Sequence, residues 1–331
     1  VEGGHQPFSD ERGTVWAAQN GEIYNHVALR ERLVADGHTI RSRCDTEVLP
    51  HLYEQHGPAM ARELRGMFAV AAWDGERRRG VLIRDRLGVK PLYYAIAGDV
   101  VVFGSELKSV IASGLVSDAL DAEAIAAYLM LGYVPEPLTP LRDVRKLAPG
   151  EMLIVGDGEA RLERYWEYPA PAPETGRSAE EWAEEVRAAL DDSIRMRLMS
   201  DVPLGAMLSG GLDSSLIVAL MARQIDRPVQ TFAVGFGEAD SELPDAARVA
   251  AAVGAEHHEL ELPIDTGRGD LRQLAWHLDE PLADLSSLGF LALCRLAAEH
   301  VTVALSGQGA DELFGGYRKH RVASLAQYWG H

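Results

Sequence analysis

Ser209-Gly210-Gly211-Leu212-Asp213-Ser214-Ser215 is the stretch of this chain whose residue types and spacing come nearest to specifying a reaction. The apolar run Leu204 to Leu208 precedes it and a helical pattern follows, so it reads as a strand–turn–helix. Adjacent glycines let the main chain approach a ligand closely. Backbone N–H groups at a helix start, the positive end of the helix dipole and the hydroxyls of Ser209, Ser214 and Ser215 together make a cradle for an anion such as pyrophosphate. Asp213 is then available to hold Mg²⁺. No lysine closes the loop, which disfavours γ-phosphoryl transfer against cleavage between the α and β phosphates of ATP. That cleavage activates a carboxylate by adenylation. A plain Gly/Ser turn is the alternative for Ser-Gly-Gly alone; the Asp-Ser-Ser continuation and the strand–helix setting weigh against it.

A second apolar run, Val301 to Leu305, ends at Ser306-Gly307-Gln308-Gly309-Ala310-Asp311-Glu312-Leu313-Phe314-Gly315-Gly316-Tyr317. Small residues again follow a strand end, and Asp311 is expected as a second Mg²⁺ ligand facing Asp213, an oxygen site of the kind that ion prefers. The alternative is a loop with a capped helix. Asp279-Glu280-Pro281 and Asp284 add acidic groups on another loop, where helix capping is the leading reading.

The elements that must position these loops alternate. Ser178 with Glu181 forms a capping box for a helix whose apolar positions are Trp182, Val186, Leu190, Ile194 and Leu198. Strands are expected at 204–208, 230–236, 258–262 and 301–305, with helices at 215–224 and 242–253 and further helices through Ala298. This alternation implies a doubly wound parallel sheet with ligands at the carboxyl ends of its strands. The first half differs. Short β runs at 14–19, 66–73, 80–83, 91–94 and 100–103, interrupted by helical spacing at 27–35, 47–56 and 122–130, suggest an α+β layer domain. Three prolines and a glycine between Glu167 and Gly176 mark the boundary. The expected organisation is therefore 1–166, a linker at 167–177, and 178–331.

With 331 residues, two cores are expected, and a net charge of −18 supplies no cationic field for a phosphate backbone, which argues against nucleic acid. Cys44 and Cys294 are too few for a disulfide framework and lack the paired spacing of a cysteine zinc site, which fits a cytoplasmic protein. Apolar runs such as 124–131 are far short of the roughly 20 residues that cross a bilayer, so no membrane partner is expected.

The Ser209 loop, the Ser306–Tyr317 string, Asn20-Gly21-Glu22-Ile23-Tyr24-Asn25, Cys44-Asp45-Thr46-Glu47 and Arg84-Asp85-Arg86-Leu87-Gly88-Val89-Lys90-Pro91-Leu92-Tyr93-Tyr94 together resemble glutamine-hydrolysing asparagine synthetase over nearly the whole chain. The resemblance implies an N-terminal-nucleophile-type αββα glutaminase of the class II amidotransferase kind, followed by an ATP-pyrophosphatase synthetase domain. Ammonia would pass between them through an internal tunnel, with glutamine, aspartate or another carboxylic acid, and ATP as substrates, Mg²⁺ as cofactor, and a homodimer as a possible assembly. It further implies that Asn20 and Gly21 line the glutamine pocket, Asn20 also serving the oxyanion hole, and that Glu22 and Asp45 bind the glutamine amino group. Leu208 and Val234, just past their strands, would contact adenine; Ser306 and Gly307 would approach the nucleotide. Taken alone, Asn20-Gly21 reads as a type I′ hairpin turn and Asp45 as a turn or cap.

Three departures follow. The family's glutaminase uses an N-terminal cysteine as nucleophile, whereas Cys44 is internal and the chain opens at Val1, so glutamine hydrolysis is expected to fail as written and an upstream segment is expected. The synthetase domain of the family continues past the point where His331 closes this chain, so truncation is expected there too. Gln308 stands where asparagine synthetases carry glutamate and β-lactam synthetases tyrosine; it keeps shape and hydrogen bonding but cannot act as a base. The readings left open are an aspartate-specific ligase, a relative that amidates or cyclises another acid, and an inactive nucleotide-binding module. Transfer-RNA thiolases share the loop, but the acidic charge and the glutaminase-like half oppose them.

Overall fold

A computed structural model describes residues 3–170, 176–237, 241–262, 268–284 and 286–326. The chain divides into two compact units, Val1–Thr175 with Ala275–Asp284, and Gly176–Leu274 with Leu285–His331. Residues 171–175 of the proline-bearing linker lie outside the described residues.

The first unit contains strands β1 (Phe8–Ser9), β2 (Val15–Ile23), β3 (Gly66–Asp74), β4 (Arg79–Arg84), β5 (Tyr93–Ala97), β6 (Val100–Gly104), β7 (Arg145–Lys146), β8 (Glu151–Gly156) and β9 (Glu159–Arg164). Its helices are α1 (His26–Ala35), α2 (Val48–His56), α3 (Leu107–Ala112) and α4 (Ala122–Leu131). Six strands make an antiparallel sheet in the order β1-β2-β3-β4-β8-β9, and β6-β5-β7 make a second antiparallel sheet. The period of two along β3 sorts its residues between two cores. Phe68 and Val70 join Leu29 and Leu33 of α1 and Leu49, Leu52 and Tyr53 of α2 in one core. Ala69, with Leu82 and Leu153, faces Leu92 and Tyr94 beside the smaller sheet. Tyr93 and Ala95 on the far side of that sheet pack with Leu107 and Val110 of α3. The layers are thus helix, sheet, sheet, helix, the αββα arrangement that the resemblance implied.

Several elements differ from the sequence reading. Strand β5 is displaced to Tyr93–Ala97 from the expected 91–94. The hairpin of β8 and β9 was not foreseen: Asp157 and Gly158 both take positive φ, 54° and 78°, the geometry of a type I′ turn. Asn20-Gly21 is no turn. It lies inside β2, paired across to Ala69 and Phe68 of β3, with Gly21 at φ 140°. A Cβ there would stand 2.0 Å from the Met67 carbonyl oxygen, so the crossing of β2 over β3 excludes a side chain.

In the second unit, α5 (Ala179–Arg197) opens on the expected capping box: Glu181 N–H donates to Ser178 Oγ at 3.2 Å and Ser178 N–H to Glu181 Oε2 at 2.8 Å. Ile194 of its apolar stripe is buried, while Trp182 is exposed under the Arg177 guanidinium. There follow β10 (Leu204–Met207), α6 (Leu212–Ala222), β11 (Gln230–Gly235), α7 (Leu243–Val253), β12 (Glu256–Glu261), α8 (Arg268–Leu278), α9 (Ser286–Ala298), β13 (Val303–Leu305), α10 (Ala310–Phe314) and α11 (Arg318–Ala326). The four strands are parallel in the order β12-β11-β10-β13. The chain moves outward from β10 to β12 and then returns to the other side of β10, so the order reverses between β10 and β13. Doubly wound sheets bind ligands in the crevice at that reversal. Leu204, Ala206 and Leu208 bury against Val218 and Met221 of α6 and Ala246 and Ala250 of α7. No helix among the described residues is long and apolar enough to cross a membrane.

Two substitutions test this account. Gly21→Ala should cost about 3 kcal/mol or more, because strain at positive φ adds to a backbone collision. Ser178→Ala should cost about 1 kcal/mol, the value of one N-cap. Both are read as a fall in the urea midpoint; a Gly21→Ala chain as stable as the parent would refute the crossing geometry.

Candidate functional site

The switch point of the parallel sheet is lined by the two loops that the sequence singled out. Helix α6 begins at Leu212, earlier than the expected Ser215, so Asp213, Ser214 and Ser215 occupy its first turn. Gly211 is its N-cap in extended conformation, and a Cβ on Gly211 would meet only Ser209 Oγ, at 3.2 Å. The helix start is therefore open on that side to an anion. Around it the loop is self-bonded: Ser209 N–H donates to Ser214 Oγ at 3.2 Å, the two hydroxyls lie 3.0 Å apart, and Gly211 N–H reaches Ser209 Oγ at 3.3 Å. Ser215 Oγ is buried with no hydrogen-bond partner, an unfilled donor in the first turn. Gly210 takes φ 78° where α7 presses on the loop; a Cβ would sit 2.6 Å from the Ala246 nitrogen and from Asp245 Cβ.

The loop after β13 reaches the same turn. A Cβ on Gly307 would come within 3.0 Å of the Ser214 nitrogen and 3.3 Å of Asp213 Cβ, so Ser306-Gly307 lies directly against the start of α6. The structure thus brings together Ser209, Gly210, Gly211, Asp213, Ser214, Ser215, Ser306 and Gly307. Gln308 follows, exposed, ahead of α10. Asp311 stands in the first turn of α10 with its carboxylate folded onto Gly316, where a Cβ would be 1.7 Å from Oδ1. Tyr317 Oη donates to Glu312 Oε1 at 2.7 Å, closing the string on itself. Leu208 is buried in the core, its N–H bonded to the Phe232 carbonyl. Val234 lies within β11, paired with Leu260, rather than past the strand as expected.

In the first unit, Asn20, Gly21 and Glu22 lie along β2, and Asp45 starts the 3₁₀ turn Asp45–Glu47. Asp45 Oδ2 accepts Ile23 N–H at 2.8 Å and Gln19 Nε2 at 2.6 Å, which tethers the turn to the strand and leaves Oδ1 beside Cys44 Sγ at 3.6 Å. Gln19 also donates to Thr46 Oγ1 at 3.0 Å, and Asn20 Nδ2 donates to Ser105 Oγ at 3.0 Å. Thr46 belongs to the Cys44-Asp45-Thr46-Glu47 motif without a role of its own, and Gln19 and Ser105 carry no sequence signal for one. Only the register of β2 and the loop after β6 bring them to Asp45 and Asn20. Glu47, in the same motif, serves the loop: burial pushes its carboxyl up, but bonds from Ser42 Oγ and the N–H groups of Arg41 and Ser42 hold it below the usual range.

The Arg84–Tyr94 string also proves to be scaffold. Asp85 is buried and accepts the N–H groups of Phe68, Leu87, Val89 and Lys90. Arg84 binds the carbonyls of Gly88, Lys90 and Leu147. Asp279 and Glu280, expected as acidic loop groups with capping as the leading role, are ion-paired instead, to Lys108 at 2.8 Å and to Lys146 at 2.6 Å.

Two family models match the chain. Residues 1–166 match the glutamine amidotransferase domain model, and residues 185–330 match the asparagine synthase model. Asparagine synthetase [glutamine-hydrolyzing] 1 of Bacillus subtilis is 40% identical over 97% of this chain and 50% of its own length. A putative asparagine synthetase [glutamine-hydrolyzing] 2 of Methanocaldococcus jannaschii is 34% identical over 96% of this chain and 65% of its own, and a putative one of Mycobacterium tuberculosis 38% over 91% and 47%. The chain spans about half the length of the first of these relatives. It belongs to the glutamine amidotransferase domain family, with asparagine synthase sequence following in residues 185–330.

Proposed function

We propose that this chain is part of an ATP-dependent, glutamine-dependent amide ligase that makes asparagine from aspartate, in the cytoplasm, with its working division at 1–166, 167–177 and 178–331. The observation that carries the reading is the meeting of Gly307 with the Asp213–Ser214 turn at the β10–β13 switch point, in a chain whose other half is an amidotransferase domain. Hydrolysis of the glutamine amide yields glutamate and ammonia. The aspartate β-carboxylate attacks the α-phosphorus of ATP and releases pyrophosphate. Ammonia then attacks the acyl carbon of the β-aspartyl-adenylate, and AMP leaves as asparagine forms.

In the first unit the Asn20 side-chain amide donates to the developing oxyanion, exchanging its present Ser105 partner for substrate, and the Gly21 main chain shapes the pocket. Glu22 and Asp45 Oδ1, which at present accepts from Cys44 Sγ, take the glutamine ammonium. In the second unit the α6 N-terminus, Gly210, Gly211 and the hydroxyls of Ser209, Ser214 and Ser215 hold the departing pyrophosphate. Leu208 and Val234 flank the adenine, and Ser306 and Gly307 lie along the nucleotide. Asp213 and Asp311 are the oxygen donors that would hold Mg²⁺, which when bound neutralises charge on the phosphates. A partly buried carboxylate in the first turn of α6 would otherwise repel that anion, so the donor set fits a cation there.

A second reading rests on Gln308, which offers an amide where a base would be expected: the same activation chemistry applied to another carboxylic acid. Pyrophosphate exchange over a panel of acids, with ammonium as nitrogen donor so that glutamine hydrolysis is not needed, separates the two. Exchange dependent on aspartate is expected; exchange with other acids and none with aspartate transfers the assignment to them. Asp213→Asn should lower exchange by about 10²-fold while the fold persists. Parent-like exchange in that variant would remove Asp213 from the site.

A further inference from the structure

Four side chains outside both loop sets converge in the first unit. Glu11 lies in the turn between β1 and β2, His38 just after α1, and His51 and Glu54 three residues apart on one face of α2. Each offers one ligand atom, and these atoms all lie within 4.8 Å of one another. His38 Nδ1 is 3.2 Å from Glu11 Oε1 and 3.9 Å from Glu54 Oε2, and His51 Nδ1 is 3.3 Å from Glu11 Oε2. Ligands about 2.0–2.2 Å from a tetrahedral ion are separated by roughly 3.4 Å, and the two distances to Glu11 lie near that value.

His38 Nδ1 and Glu11 Oε1 are hydrogen-bonded to each other at 3.2 Å, which leaves His51 unaccounted for. His51 is 1% exposed, yet neither of its ring nitrogens has a hydrogen-bond partner. Its Nδ1 approaches Glu11 without bonding geometry, as two ligands of one centre do. An orphaned buried imidazole is destabilising unless something fills it. The surrounding bonds orient the cluster: Thr39 N–H holds Glu11 Oε1 at 2.7 Å, and Arg12 Nη2 takes Glu54 Oε1 at 2.7 Å, which leaves Oε2 turned to the histidines. Glu47 is close in charge to His51 but is spent on Arg41 and Ser42.

We propose that Glu11, His38, His51 and Glu54 form a structural site for a divalent first-row transition metal, Zn²⁺ being the best fit. Two neutral imidazoles and two carboxylates balance a dication, so the site closes with no net charge. The ion would pin the β1–β2 turn and the segment after α1 to α2.

The full chain, stripped of metal and freed of nucleotide and Mg²⁺, is titrated with Zn²⁺ alone. One equivalent should be retained after dialysis, with a melting temperature raised by roughly 5–10 °C at a hundredfold excess of free ion over Kd. X-ray absorption should show two imidazoles among nitrogen and oxygen ligands. His38→Gln and Glu54→Gln, whose side chains are partly exposed and so tolerate change, should each weaken binding by at least ~10-fold while far-ultraviolet circular dichroism stays parental; His51→Gln adds the buried ligand. Failure to retain stoichiometric Zn²⁺, or retention that both partly exposed variants leave unchanged, overturns the proposal.

Discussion

Main-chain pairing between neighbouring strands is the constraint from which the rest of this structure follows. In the second unit β10 hydrogen-bonds in parallel to β11 on one side and β13 on the other, so two strand ends distant in sequence open onto one crevice. In the first unit the antiparallel register of β2 on β3 fixes which residues of the Gln19–Ile23 stretch face the Asp45 turn. Close backbone approach imposes glycine at Gly21, against Met67 within the β2–β3 pairing, and at Gly210, where α7 presses on the loop after β10. The chemistry-bearing groups are placed by these contacts, and the hydrophobic cores hold the contacts in place.

The two halves solve the problem of siting polar groups differently. The parallel unit uses the ends of its elements: unpaired N–H groups and small hydroxyl side chains at a helix start, with one carboxylate in the first turn. The layered unit uses the middle of a strand, where Asn20, Gly21 and Glu22 would ordinarily pack or be solvated, and recruits the Asp45 turn through the Ile23 N–H and Gln19. The Arg84–Lys90 loop shows a further use of polar residues. Buried Asp85 gathers four N–H groups and Arg84 three carbonyls, so a segment with no regular structure has its backbone satisfied without water.

Much of the fold could be read from the chain. Alternating strand and helix patterns after Ser178 implied the parallel sheet, and the Ser178–Glu181 spacing implied the capping box atom for atom. Misplaced boundaries share a cause: periodicity reports which residues are apolar, not where hydrogen bonding begins. Thus α6 starts at Leu212 because the helix takes in the polar Asp-Ser-Ser turn, and β5 starts at Tyr93 because Pro91 has no N–H to give a ladder. The β8–β9 hairpin was passed over although Asp157-Gly158 is a turn signal, since charged residues on the outer strand blur the alternation.

By itself the sequence singled out the two site strings and suggested a chemistry for them, because Gly, Ser and Asp at fixed spacing behind a strand have few other uses. It also carried the family resemblance that the amidotransferase and asparagine synthase matches bear out. Tertiary structure alone decided that Gly307 meets the Asp213 turn, that Asp279 and Glu280 are ion-paired to Lys108 and Lys146, and that Glu11, His38, His51 and Glu54 come together. The physical reason is common to all three. These are contacts between segments tens to more than a hundred residues apart, and local spacing holds no record of which distant backbone a sheet register or a helix face will bring alongside.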